Sequence, residues 1–272
     1  MNIGGIEVGS GQPCRFVAEI SNNHNGDRDR CGRLIDAAKA AGADFVKLQC
    51  YSPDELVALR GDGPAPEPWG SQGWSMRDLY GKARTPFDWF PKIAAHCERV
   101  GMPWFSSVFG PESLAVLESV GCPAYKIARL DSSQASLIEA VQKTGKPFLV
   151  SVGPDGNTNV RDSRGVMVHI PGEQKLFCPP GYPAEPIPLP LFWNDNFCMS
   201  YGLYEDVHYL GLSSHCLDPM YQQIAVARGA RLIEMHFMLD NEPSELESNV
   251  SLTASQFREM VDTARKIEGM IA

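Results

Sequence analysis

Short apolar runs alternate along this chain with stretches whose apolar positions recur at helical spacing, and that alternation predicts parallel βαβ units. The first unit spans residues 16–49. It reads as an apolar run, the polar turn Ser21-Asn22-Asn23-His24-Asn25-Gly26-Asp27, an Ala-rich helix and a second apolar run. Asp27 is placed to cap the helix, Leu34, Ile35, Ala37, Ala38 and Ala41 give it an apolar face, and Gly42 ends it. Further strands are expected at residues 103–107, 124–128, 148–151, 209–213 and 232–236, with the sixth at either 166–170 or 175–178. Helices are expected near residues 112–119, 133–144, 197–205 and 219–228. Another should begin at the Thr85-Pro86 pair, as cap and first helical position, and the last, capped by Thr253 or Ser255, should run to the end of the chain.

Eight strands with intervening helices in 272 residues predict an α/β fold of the (β/α)8 TIM-barrel class, one domain spanning residues 1–272. A doubly wound open sheet is the alternative, and the lack of a Gly-rich phosphate fingerprint counts against it. Two stretches break the regularity. Residues 153–165 carry no helical apolar stripe, so the fifth helix is expected to be missing or reduced. Residues 50–84 are rich in Gly and Pro, carry Trp69 and Trp74, and are too long for an ordinary connection, which suits a lid or a partner surface. A second subunit over that segment, or over residues 177–190, would make the protein a homo-oligomer; a lid folded back on its own chain is the nearly equal alternative.

Charge inside the apolar runs changes the picture. Glu19 lies within the first run and Lys47 within the second, where parallel strands are covered on both faces. An ion pair locking two adjacent strands and a catalytic interior explain them equally well. The formal net charge of -9 argues against nucleic acid or an anionic membrane as partner. Eight cysteines at irregular spacing, without a CxxC pair, read as reduced thiols. With no signal segment and no apolar run long enough to span a membrane, a cytoplasmic protein is expected.

In a barrel the active site gathers at the C-terminal ends of the strands, and Glu19, Lys47, Gln49, Ser107, Lys126, Asp131, Ser151, Ser213, His215 and His236 all fall at or just beyond such ends. Singly each has a structural explanation. Together, two lysines suit a phosphate or carboxylate, and two neutral imidazoles on strands seven and eight suit a divalent metal.

These residues, with Ala18-Glu19-Ile20, Asn23-His24-Asn25-Gly26-Asp27, Val46-Lys47-Leu48-Gln49, Leu79-Tyr80, Thr85-Pro86, Trp89, Phe105-Ser106-Ser107, Tyr125-Lys126-Ile127-Ala128, Thr144-Gly145-Lys146-Pro147, Tyr182-Pro183, Gly211-Leu212-Ser213-Ser214-His215 and Ile233-Glu234-Met235-His236-Phe237, resemble the N-acetylneuraminate (sialic acid) synthases and their relatives for legionaminic and pseudaminic acids. The likeness runs over about residues 14–260. It implies a transferase of carbohydrate biosynthesis that condenses phosphoenolpyruvate with the open-chain aldehyde of an N-acylated hexosamine and releases phosphate. By the same likeness His215 and His236 hold Mn2+ or Mg2+, while Lys47, Gln49, Lys126, Ser107, Ser151, Ser213 and Tyr182 hold substrate. Glu19 would orient water or substrate, and Asp131 would serve as base for the water that adds to C2.

The departures cluster in the same pocket. Arg129 stands where the family usually has a phosphate-binding serine, Phe177, Pro179 and Pro180 replace polar residues before the Tyr-Pro pair, Val152 stands for a common threonine and Met235 for a common lysine, and Glu247-Ser248 replaces an Asp-His pair. Arg129 is expected to take over anion binding. The likeness ends with the barrel, so the small C-terminal antifreeze-like domain of many members is not expected here. A metal-dependent aldolase or lyase acting on a sugar acid, and a barrel that binds or assembles without catalysis, are the alternative functions.

Overall fold

In a computed structural model, residues 1–154, 156, 173–190, 192 and 209–271 are described. The barrel strands are β1 (Arg15–Glu19), β2 (Phe45–Cys50), β3 (Trp104–Val108), β4 (Tyr125–Ile127), β5 (Phe148–Val152), β6 (Glu173–Phe177), β7 (Tyr209–Ser214) and β8 (Leu232–Met238). Each pairs in parallel with the next, and β8 pairs with both β7 and β1, so the sheet closes on itself as a (β/α)8 barrel. The sixth strand is the second of the two expected segments. The first, residues 166–170, lies outside the described residues, as do the expected helix at 197–205 and most of the stretch where the fifth helix was expected to be reduced. A short β9 (Ser251–Thr253), which the pattern does not announce, adds in parallel to the end of β8.

Period-two alternation sorts the strand residues. One set, including Phe16, Val46, Leu48, Val150, Ile233, Met235 and Phe237, faces outward and packs under the helices. The other set begins with an apolar floor of Val17, Phe45, Phe105, Ala124, Leu149, Leu176, Leu210 and Leu232, closed by Ile3 and Val8 of the N-terminal hairpin region. Fully burying each of the larger side chains contributes about 1.5–3 kcal/mol. Two residues further along β1–β5 and β8 the interior turns polar. Glu19, Lys47, Ser107, Lys126, Ser151 and Glu234 all lie directly beyond floor residues and are all buried.

The seam between β7 and β8 leaves no room for a side chain at Gly211. The register between β6 and β7 shifts beside Leu210, and a Cβ on Gly211 would sit 1.9 Å from the Leu232 carbonyl oxygen. The shift also returns Ser213 to the interior. Gly211→Ala is therefore expected to destabilise the barrel by several kcal/mol or prevent closure, of the order of other severe backbone clashes. A denaturant midpoint equal to that of the native protein would refute it.

Helix α1 (Arg28–Ala40) starts as expected, with the Asp27 carboxylate accepting from the backbone N–H groups of Asp29 and Arg30. The segment 50–84, expected to be a lid or a partner surface, has secondary structure of its own. It folds into α2 (Pro53–Arg60) and α3 (Met76–Ala83), each opened by a capping box, and their Leu56 and Tyr80 pack with Tyr51 and Phe109. The Thr85-Pro86 pair does not begin the next helix: a 3-10 turn at Phe87–Trp89 intervenes, and α4 is Phe90–Val100 with Pro91 in its first turn. The remaining helices are α5 (Pro111–Ser119), α6 (Ala135–Lys143), α7 (Pro219–Ala227) and α8 (Ala254–Ile271). Of the two expected caps for α8, Thr253 is the one used, through reciprocal bonds with Gln256.

Thr85 has a different partner. Its hydroxyl lies 3.2 Å from His24 Nε2, and His24 Nδ1 accepts from the Gly26 N–H at 3.0 Å. The Asn-His-Asn-Gly-Asp turn is thereby a structural knot: Asn23 donates to the Phe237 carbonyl and to Ser251, and Arg30 donates to the Asn23 carbonyl and pairs with Glu242. The described cysteines are all buried and unpaired. No described helix is long and apolar enough to cross a membrane.

Burial pulls His24 from 6.5 down to about 4, outweighing the raising effects of Glu247 and Asp27. The unfolded state then binds more protons than the folded state between those values. Stability present above pH ~6.5 is lost as pH falls toward about 4, to the extent of about 3 kcal/mol. Urea unfolding at pH 7 and pH 4.5 should show His24→Gln with a smaller pH-dependent loss than the native protein; an equal loss would refute the assignment.

Candidate active site

The polar layer draws its charges from four strands. Glu19 at the end of β1 and Lys47 on β2 are register partners and form a tight ion pair. Lys47 also donates to Ser107 on β3 at 2.9 Å and stands 3.7 Å from Glu234 on β8. Across the barrel, Lys126 on β4 donates to Ser213 at 2.9 Å and pairs closely with Glu234, whose carboxylate also accepts from Ser213 at 2.9 Å. Burial pulls the Lys47 ammonium down to about 7, against the pull of the Glu234 carboxylate. Burial works the other way on Glu234, but Lys126 and Lys47 hold it below the ordinary carboxylate range.

A second cluster rims this layer. Glu247 is buried beside His236, with Oε2 3.2 Å from Nδ1, and accepts from Ser21 at 2.9 Å and from the Tyr182 hydroxyl. Gln49 donates to the same Ser21 hydroxyl at 2.9 Å. The Tyr182 ring stands edge-on to both imidazoles, with centroids 4.7 Å from His215 and 5.7 Å from His236, and the two imidazole centroids are 5.2 Å apart. Burial, with the neighbouring His236 and Lys126, pulls His215 down to about 3, so its ring is neutral at physiological pH.

His215 Nδ1 is buried without a hydrogen-bond partner. A neutral, unpartnered ring nitrogen beside a second imidazole and a carboxylate fits a divalent cation. Among the described residues no three His, Cys, Asp or Glu side chains converge as a closed cage. A metal here would rest on the two histidines and keep open positions.

Most of the expected site residues thus come together, while Asp131 and Arg129 stand apart. Ser151 Oγ is buried in the same layer without a partner. Asp131 is also buried, but Arg60 of α2 engages both its oxygens, at 3.1 and 2.6 Å, so its carboxylate is committed to an ion pair rather than presented alone as a base. Arg129 is half-buried at the end of β4. It does not pair with Asp131 or Glu19, whose partners are Arg60 and Lys47. Sequence reasoning missed Glu234, Ser21 and Arg60, and took Glu247 only as a departure from a motif. Glu234 could have been found, because it is two residues from His236 and therefore faces the same interior. Nothing local marks Arg60.

Residues 34–272 match the model of the NeuB family. The chain belongs to the NeuB family. It is 30% identical to the pseudaminic acid synthase of Helicobacter pylori, over 94% of this chain and 74% of that protein, and 32% identical to the pseudaminic acid synthase of Campylobacter jejuni (serotype O:23/36), over the same shares. The human N-acetylneuraminate-9-phosphate synthase is 27% identical over 96% of this chain and 72% of its own length. Among solved structures, the spore coat polysaccharide biosynthesis protein SpsE of Bacillus subtilis is 26% identical with a TM-score of 0.71, covering 100% of this chain and 72% of that one. The N-acetylneuraminic acid synthetase of Leptospira borgpetersenii shares the fold at a TM-score of 0.76 and 21% identity, covering 100% of this chain and 90% of that one.

The Lys47–Glu19 pair can be weighed directly in this NeuB-family barrel. Lys47→Met leaves a buried carboxylate without its closest cation and should cost about 3–5 kcal/mol, whereas Lys47→Met with Glu19→Gln should recover most of that loss. Chemical denaturation of the two single variants and the double variant measures the coupling. Additive losses would show that the pair is not a unit.

Proposed function

We propose that this NeuB-family chain condenses phosphoenolpyruvate with the open-chain aldehyde of an N-acylated hexosamine to give a nonulosonic acid and phosphate. The observation that carries the reading is the buried layer of Lys47, Lys126, Ser107 and Ser213, lying beneath the adjacent His215 and His236 rings. An anionic three-carbon substrate needs cations and hydroxyl donors held in a water-poor pocket, and an aldehyde acceptor needs an electrophilic group beside it. The pseudaminic and sialic acid synthases in the comparisons support the reaction class.

In this reading the two lysine ammonium groups face the phosphate and carboxylate of phosphoenolpyruvate, and Ser107, Ser151 and Ser213 donate hydrogen bonds to its oxygens. Ser151, whose hydroxyl lacks a partner, has a free donor for this purpose. The enol carbon C3 attacks the aldehyde carbon, forming the C–C bond. Water adds at C2, and the C2–O bond to phosphate breaks, so one water is consumed and one phosphate released. His215 and His236 would hold the divalent metal, which when bound supplies Lewis-acid polarisation of the aldehyde oxygen. Tyr182, fixed by Glu247 and stacked edge-on to both rings, shields that position from water. Glu19 keeps Lys47 oriented toward Ser107 and the pocket.

Incubation with phosphoenolpyruvate, Mn2+ and N-acylated hexosamines should release one phosphate per sugar acid formed. His215→Ala should abolish metal-dependent turnover while leaving the circular dichroism spectrum unchanged. Cleavage of a sugar acid without phosphate release would instead establish a lyase, and failure to bind metal, phosphoenolpyruvate or sugar would leave a non-catalytic barrel.

A further inference from the structure

Three cations around the mouth of the barrel are each matched by an acid: Lys47 by Glu19, Lys126 by Glu234 and Arg60 by Asp131. Arg129 is different. It lies at the end of β4, three residues beyond Lys126, half-buried, and its guanidinium makes no ion pair or hydrogen bond among the described residues. Its charge reaches the buried Cys178 thiol at the end of β6, on which Arg129 and Lys126 act together. A half-buried guanidinium gives up hydration without recovering it from protein acceptors, which is the condition of a group whose acceptor is a ligand.

The acid that would ordinarily quench it is close at hand. Asp131 is two residues away on the same 3-10 turn, Arg129–Asp131, and is almost completely buried. A buried carboxylate must find a cation. Here it finds Arg60, which arrives from 71 residues earlier in the chain and occupies both oxygens. Arg60 is delivered by a docked helix. The guanidinium lies 5.5 Å from the centre of the Phe109 ring, and α2 is pinned by Leu56 in the aromatic cluster. Glu55 of the same helix accepts the backbone N–H groups of Glu112 and Ser113 at the start of α5.

We infer that Arg129 is the anion-recognition residue of the mouth, gripping a phosphate or carboxylate of the substrate through its two-bond fork, and that Arg60 is a positioning residue that keeps Arg129 available by holding Asp131. The inference rests on the proposed function only in taking the substrate to be anionic. Where the resemblance places a serine, a guanidinium replaces one neutral donor by a charged pair of donors. Removing Arg60 would leave Asp131 to turn to Arg129, and the pocket would lose its unpaired cation.

Calorimetric binding of phosphoenolpyruvate and of inorganic phosphate to the native protein, Arg129→Ala, Arg129→Gln, Arg60→Met and the double variant Arg60→Met/Asp131→Asn tests both halves, with folding checked by circular dichroism. Arg129→Ala and Arg129→Gln should each lose about tenfold or more in affinity for both anions, the scale of one charge-assisted contact. Arg60→Met should weaken binding severalfold, and adding Asp131→Asn should restore it, because the competing carboxylate is gone. Native-like affinity in both folded Arg129 variants overturns the recognition role. A double variant that is folded but no better than Arg60→Met overturns the positioning role. Lack of phosphoenolpyruvate binding by the native protein would instead overturn the proposed function, which separates the two failures.

Discussion

Two lysines and two glutamates share one buried layer of the barrel, and charges in such a place persist only if they neutralise one another. The desolvation of each costs several kcal/mol, and a partner in good geometry is needed to recover it. Glu19 and Lys47 meet this demand across neighbouring strands at the same register level. Lys126 and Glu234 meet it across the barrel, from β4 to β8, and exist as a pair only when the sheet has closed. A slip of one residue on any of these strands would carry its charge to the helix-covered face and leave the partner alone. The network therefore specifies register as well as chemistry, while the apolar floor beneath it supplies the cohesion.

The rim depends on that layer in turn. With β1 and β8 fixed side by side, Ser21 just beyond β1 and His236 on β8 both reach Glu247, and Tyr182 arrives from beyond β6 to the same carboxylate. One buried acid thus ties three separate connections together. The Asn23–Arg30 knot performs the same service nearby, binding the turn after β1 to β8 through the Phe237 carbonyl and to the segment after β8 through Glu242. The polar turn of the first unit, His24 included, is thus structural mortar around the site.

Much of this was legible in the amino-acid order, because parallel strands of a barrel advertise themselves as apolar runs and the functional layer sits at a fixed offset within each. Glu19, Lys47, Lys126 and Ser107 each follow a buried floor residue by two positions, and the same offset marks Glu234 after Leu232. What stayed hidden was set by tertiary contact. The Thr85-Pro86 pair has the form of a helix start, yet the threonine satisfies a buried histidine 61 residues away and the helix begins later. The 50–84 segment has the composition of a loop, but two capping boxes and a small aromatic cluster outweigh its glycines and prolines. Arg60 is one arginine at the end of a short helix until the fold puts Asp131 against it.

The distribution of charge at the mouth gives the pocket a direction. Among the described residues Lys47, Lys126 and Arg60 are matched by Glu19, Glu234 and Asp131, whereas Arg129 has no ion-pair partner and Glu247 is matched only by the His236 imidazole and by hydroxyl donors. These two do not meet. Arg129 ends β4, whereas Glu247 lies against His236 of β8, four strands away around an eight-membered ring of strands. Burial raises Glu247, but the adjacent His236, with hydrogen bonds from Tyr182 and Ser21, holds it below the ordinary carboxylate range. The β8 side therefore sets a carboxylate beside two imidazoles, a combination suited to a divalent cation, and the β4 side presents a guanidinium without an ion-pair partner, a combination suited to an anion. In the proposed reaction, a substrate with a carboxylate or phosphate at one end and a carbonyl at the other would lie between these two sides of the rim, with the buried lysines meeting its anionic groups beneath.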